Sequence, residues 1–131
     1  MTYKLLELLM KILMIDDDEV STKSLASFLE MGNHCCQAFT VPQQAIEVYR
    51  QNAYDVVITD MIMPGMNGLK VLQQVRSINP DAKVIIVTGH LDVEIAIAAL
   101  NNRAYAFLSK PLRIEELMAT LDRIEQENRD R

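Results

Sequence analysis

Polar side chains of a chemically useful kind stand where short apolar runs of this chain end. Asp16 and Asp17 follow the run Lys11–Ile15, and Asp60 follows Asp55–Thr59. Thr88 closes Lys83–Thr88, and Lys110 with Pro111 comes directly after Ala106–Ser109. Three carboxylates drawn into one cleft repel each other, and burial would raise the pKa of at least one. A hard divalent cation relieves that repulsion. Mg2+ takes oxygen ligands, keeps several waters, and is commonly held by one or two carboxylates together with phosphate oxygens. A lysine adds a point charge suited to phosphate, and a threonine adds a hydroxyl donor. Such a set can hold a phosphoryl group in transfer to an aspartate nucleophile. Asp60 is the best nucleophile of the three, because it begins the turn-rich loop that runs to Gly68.

For these residues to meet, the elements between them must be of one kind. Lys11–Ile15, Asp55–Thr59 and Lys83–Thr88 are almost continuously apolar and rich in β-branched residues, the pattern of strands buried on both faces. His34–Phe39 is a weaker strand and Ala106–Ser109 a short one. Helical spacing fills the intervals. Val20–Met31 places Leu25, Phe28 and Leu29 on one face, and Gln43–Gln51 carries Ala45, Ile46, Val48 and Tyr49 with Pro42 suited to its first turn. Leu69–Ile78 carries Leu69, Leu72, Val75 and Arg76 and stops before Asn79–Pro80, while Asp92–Asn101 and Ile114–Glu127 complete the series. Strand and helix in strict alternation predict an α/β fold with a parallel sheet and right-handed crossovers. In such sheets the ligand crevice lies beyond the C-terminal ends of the strands, where the polar residues stand.

Composition narrows the function. A length of 131 residues suits one domain, and a net charge of -5 without a basic stripe argues against nucleic-acid contact by this chain. Leu5–Ile15 is apolar apart from Glu7 and Lys11, but it is too short to span a bilayer and is followed by acids rather than a small-residue cleavage site. Residues 1–10 read as an N-terminal extension and residues 128–131 as a charged tail. The adjacent Cys35 and Cys36 are unsuited to a disulfide and complete no metal set, which fits a reducing, cytoplasmic setting. His34 and His90 lack metal-ligand spacing. Asp18 and Glu19 fit the start of a helix, where carboxylates favour the dipole. The eight methionines read as gap-filling core, with Met61, Met63 and Met66 as an adaptable surface in one loop the other possibility.

Four stretches in order, ILMIDDDE, VVITDMIMPGMNGL, VIIVTGH and AYAFLSKPL, make residues 11–127 similar to the receiver domain of two-component response regulators, of the chemotaxis-regulator kind. The resemblance implies a flavodoxin-like, doubly wound sheet of five parallel strands in the order 2-1-3-4-5, with five helices. It implies that Asp60 accepts phosphate from a histidine kinase, a phosphotransfer protein or a small phosphodonor. Asp17 would bind Mg2+ directly, Asp16 largely through water, and Asp60 and the Ile62 carbonyl would complete the metal set. Lys110 would contact the phosphoryl group across a cis peptide to Pro111. Thr88 and Phe107 would form the coupled switch that alters a partner or dimer surface on the fourth helix, fifth strand and fifth helix. No catalysis beyond the domain's own phosphorylation and dephosphorylation is implied.

The chain departs from the family pattern in places. Phe107 stands where Tyr is frequent, and Arg103 where Gly usually follows the fourth helix, so Asn102 is expected to supply the left-handed cap. Ile62 and His90 flank the site at positions that tune dephosphorylation, and bulky Ile62 predicts slow loss of phosphate. Two other functions compete. Asp16-x-Asp18-x-Val20 after a strand resembles the first motif of haloacid-dehalogenase phosphatases, with Asp16 as nucleophile. A degenerate receiver working as an unphosphorylated binding module is the other, against which the intact Asp60, Thr88 and Lys110 speak.

Overall fold

A computed structural model describes residues 10–89 and 92–130. Strands and helices alternate: β1 Lys11–Ile15, α1 Glu19–Met31, β2 Cys35–Phe39, α2 Pro42–Gln51, β3 Val56–Asp60, α3 Gly68–Ile78, β4 Val84–Thr88, α4 Val93–Asn101, β5 Ala106–Ser109 and α5 Ile114–Arg129. The five strands form one parallel sheet in the order β2-β1-β3-β4-β5, the doubly wound topology that the resemblance implied.

Alternation along the strands divides the core in two. Leu13, Ile15, Val57, Val84 and Ile86 face α2, α3 and α4, packing on Ala45, Ile46, Val71, Leu72, Val75 and Ala99. Ile12, Met14, Val56, Ile58, Ile85 and Val87 face α1 and α5, packing on Leu29, Leu117, Leu121 and Ile124. Each such side chain taken wholly out of water contributes about 1.5–3 kcal/mol. A strand covered on both faces must be apolar at every position, which is why the runs are so nearly continuous.

Helix starts follow local chemistry. The Asp18 carboxylate accepts from the amides of Val20 and Ser21 to cap α1, Asn67 accepts from Lys70 N at 2.9 Å to cap α3, and Pro42 opens α2. Phe28 departs from the expected buried face: it is 41 % exposed, because Leu25 and Leu29 point at the sheet and Phe28 falls at the edge of their stripe. Met61 and Met63 are buried in the core and Met66 is half-buried, so the loop methionines fill space rather than offer a surface.

The left-handed residue after α4 is Arg103, with φ 64°, and not Asn102, whose φ is -91°. The hydrogen bonds give the reason. Arg103 N donates to Leu100 O at 2.9 Å and Ala104 N to Ala99 O at 2.9 Å, the pair that defines a Schellman stop with Arg103 in the left-handed place. Asn102 instead bonds its side-chain amide to Ala98 O at 2.7 Å. The same stop ends α1, where Asn33 has φ 71°. Helix α5 runs on to Arg129, so the charged tail begins as helix. Met10 is 2 % exposed and its carbonyl accepts from Cys35 N at 2.8 Å.

Candidate functional site

The parallel ladder continues past the strand ends and sets the site residues in place. Asp16 N donates to Phe39 O at 3.1 Å, Met61 N to Val87 O at 2.9 Å, and Lys110 N to Thr88 O at 2.8 Å. With β1 paired to β3 as far as Ile15 and Thr59, backbone pairing holds the ends of all five strands in one row. The alternation that sends Met14 and Ile58 to the α1–α5 side sends Asp16 and Asp60 the same way, above a cavity of about 440 Å³ lined also by Leu25, Phe28, Val87 and Leu112.

Asp16, Asp17 and Asp60 each offer a carboxylate oxygen within 4.8 Å of the others. Lys110 Nζ lies 3.3 Å from Asp60 Oδ2 and 3.5 Å from Asp16 Oδ2, bridging two of the three. The remaining oxygens are held from the backbone: Asp60 Oδ1 accepts from Met61 N at 2.9 Å, and Asp16 Oδ1 from Asp18 N at 2.9 Å. The Lys110–Pro111 peptide is cis.

Charge in the cleft is unbalanced. Burial raises the Asp60 pKa, and Asp16 adds to this, while Lys110 and the Met61 amide pull it back. Burial works against the Lys110 charge, yet Asp16 and Asp60 outweigh it and hold the ammonium above its ordinary value. The two shifts differ in origin: burial comes first for Asp60, whereas for Lys110 the two anionic neighbours prevail over burial. Three carboxylates against one ammonium leave two negative charges uncompensated. An all-oxygen donor set with that charge suits a hard divalent cation such as Mg2+, so the residues present fit the expected metal.

Asp18 stands outside this cluster. Its carboxylate caps α1 and accepts from Ser21 Oγ at 2.9 Å, bonds that hold its pKa below the ordinary value. The second aspartate of the dehalogenase-type motif is thus committed to a helix cap.

Thr88 is buried at the end of β4, and Phe107 is half-buried on β5. Phe107 pairs in register with Ile86 and packs on the α2–α3–α4 side, so it is not brought into contact with the acids. Ile62, in the loop that follows Asp60, is 53 % exposed. His90 lies outside the described residues. Sequence reasoning missed two contributors: the Met61 amide, which orients Asp60, and Gly68, whose place against the Asp60 backbone only the folded loop reveals.

The doubly wound sheet thus gathers three carboxylates and one lysine at the C-terminal ends of its strands. The response regulator receiver domain family matches residues 12–122, and the chain belongs to that family. The C4-dicarboxylate transport transcriptional regulatory protein DctD of Rhizobium meliloti is 31 % identical over 118 residues, covering 90 % of this chain and 26 % of that protein. A receiver-domain structure from Clostridium thermocellum superposes with a TM-score of 0.86 at 30 % identity, covering 91 % of this chain and 96 % of the other. The beryllofluoride-activated NtrC4 receiver domain dimer gives 0.84 at 29 % identity, covering 89 % and 97 %. The chain spans about a quarter of the length of DctD. It is a receiver domain of the two-component kind, a signalling domain rather than a member of a phosphatase family. Among the described residues no helix is long and apolar enough to cross a membrane.

Proposed function

We propose that Asp60 is the phosphoacceptor, charged by a histidine kinase, a phosphotransfer protein or a small phosphodonor in a Mg2+-dependent step. The observation that carries this reading is the Lys110 ammonium shared between Asp60 Oδ2 and Asp16 Oδ2 inside the acidic cluster. Asp60 Oδ2 is the attacking oxygen, since it faces the Lys110 ammonium that is to receive the phosphoryl group, while the Met61 amide holds Oδ1. A bond forms from it to phosphorus, and the electron pair of the breaking bond stays with the donor. Asp16, Asp17, Asp60 and the Ile62 carbonyl would hold Mg2+, which when bound would supply the positive charge that lets an anionic nucleophile meet an anionic phosphoryl group. Lys110 turns from Asp16 to a phosphoryl oxygen, and the Thr88 hydroxyl moves to donate to another.

The new group carries about -1.5 to -2 charges, enough to bias a two-state loop. Thr88 and Phe107 lie on the same side of the sheet as α4, by which the change reaches the α4–β5–α5 surface. Val93, Ile97 and Leu100 on α4 are 74 %, 51 % and 62 % exposed, an apolar stripe fit for a protein partner or a second copy. The domain then acts in the cytoplasm, with residues 11–127 as the receiver unit, without nucleic-acid contact of its own and without turnover beyond its own phosphorylation and dephosphorylation. Incubation with acetyl phosphate and Mg2+, followed by intact mass, tests this. One phosphoryl group, lost in Asp60→Asn and on chelation, is expected. Uptake that survives Asp60→Asn would assign the acceptor elsewhere.

A further inference from the structure

Gly68 sits in the first turn of α3, where helix propensity alone favours alanine. Its backbone does not demand glycine, because among the glycines only Gly65 has positive φ. Space does demand it. A Cβ at position 68 would stand 2.7 Å from the Asp60 carbonyl oxygen and 3.0 Å from Met61 Cα, where ordinary contact begins at 3.4 Å. The Gly68 amide donates to Met61 O at 2.8 Å, so the loop from Asp60 to Gly68 closes on itself at this point.

Neither side yields freely. Helix α3 is anchored by Val71, Leu72 and Val75, each fully buried, and β3 pairs with strands on both sides. A methyl group here must move one of them by about 0.7 Å, the gap between 2.7 and 3.4 Å. The atoms pressed upon belong to the end of β3, where the Asp60 side chain borders the cleft and Ile62 is exposed, so a displacement there reaches both.

We infer that Gly68 is a positioning residue for phosphoryl acceptance: its missing side chain sets where the Asp60 carboxylate and the Ile62 carbonyl stand relative to Asp16, Asp17 and Lys110. The inference rests on Asp60 being the acceptor. Misplacement of a reacting group by 1 Å can slow a reaction by about a hundredfold. A shift of this size should therefore slow Gly68→Ala phosphorylation by roughly tenfold or more and weaken Mg2+ binding with it.

The test compares Gly68→Ala with Gly65→Ala. Gly65 has φ 86°, and a Cβ there meets the end of the Gln43 side chain at 3.3 Å, so that change strains the same loop without pressing on Asp60. Three quantities are read for each protein: melting temperature, phosphorylation rate with saturating acetyl phosphate, and Mg2+ affinity from the amide shift of Met61. Both variants are also made with Arg103→Gly, which relieves left-handed strain elsewhere and offsets lost stability. Gly68→Ala should lose rate and Mg2+ affinity far beyond its fall in melting temperature, and Gly65→Ala should lose stability first. Wild-type rate and affinity in Gly68→Ala, or losses in both variants that simply track stability, would overturn the inference. A wild-type protein that never takes up phosphate would remove the Asp60 assignment and the inference with it.

Discussion

Replacing Lys110 by methionine separates two roles that one ammonium combines. At 3.3 Å from Asp60 Oδ2, the gross attraction is about 5 kcal/mol at an effective dielectric near 20. Desolvation and screening cancel most of it, because the Lys110 side chain is 38 % exposed and such pairs contribute about 0–1 kcal/mol net. The variant should therefore unfold within about 1 kcal/mol of wild type. Its phosphorylation should fall by roughly a hundredfold or more, the usual effect of removing a donor aimed at developing charge. Mg2+ affinity should move the other way. Lys110 competes with the metal for Asp16 and Asp60, and two charges against one at about 5 Å in water amount to roughly 1.5 kcal/mol, or about tenfold. The assays are a denaturant melt, a Mg2+ titration followed by amide shifts, and phosphorylation with acetyl phosphate. Weaker Mg2+ binding in Lys110→Met, or an unchanged phosphorylation rate, would refute this account of the cleft.

Arg103→Gly should stabilise the domain by about 1 kcal/mol, since a residue with a side chain is held in the left-handed region at φ 64°, and a chemical melt will measure it. His34 is 4 % exposed with neither ring nitrogen hydrogen-bonded, and burial lowers its pKa against the opposing pull of Glu125, Asp122 and Asp55. A lowered folded pKa means that the unfolded chain binds the proton more readily. Stability should thus be complete above the unfolded value near 6.5 and fall by up to about 1.4 kcal/mol per unit as pH drops below it. His34→Leu should flatten that slope in melts between pH 7 and 5, and an unchanged slope would place the sensitivity elsewhere. Ile62→Asn should shorten the phosphoryl half-life by about tenfold, equivalent to ~1.4 kcal/mol of barrier, without loss of stability because the side chain is half exposed. A wild-type half-life in that variant would remove Ile62 as the brake on hydrolysis.

Much of this fold is written in local patterns. Strands covered on both faces must be apolar throughout, so β1, β3 and β4 stand out, and Asp16, Asp60 and Thr88 mark their ends. The boundary of β3 lies one residue beyond the apolar run, at Asp60, because pairing with Val87 keeps the backbone extended there. Features set by tertiary packing were not legible. Whether Asn102 or Arg103 takes the left-handed place depends on where Ala104 docks in the core, which no local signal encodes. Phe28 looked like a core residue by spacing, yet the helix rotation that seats Leu25 and Leu29 leaves it on the cavity rim. The carboxylates could be placed together from topology. That Met61 N fixes one Asp60 oxygen and leaves the other to Lys110 required the folded loop.

The central claim is tested most directly by titrating fluoroberyllate and Mg2+ into wild type and Asp60→Asn while recording amide spectra. A Mg2+-dependent response confined to wild type, with shifts reaching Thr88, Phe107 and α4, is the predicted result. Wild-type spectra that stay unchanged with both ligands present would contradict the account, and would leave the fold as a binding module that works without phosphate.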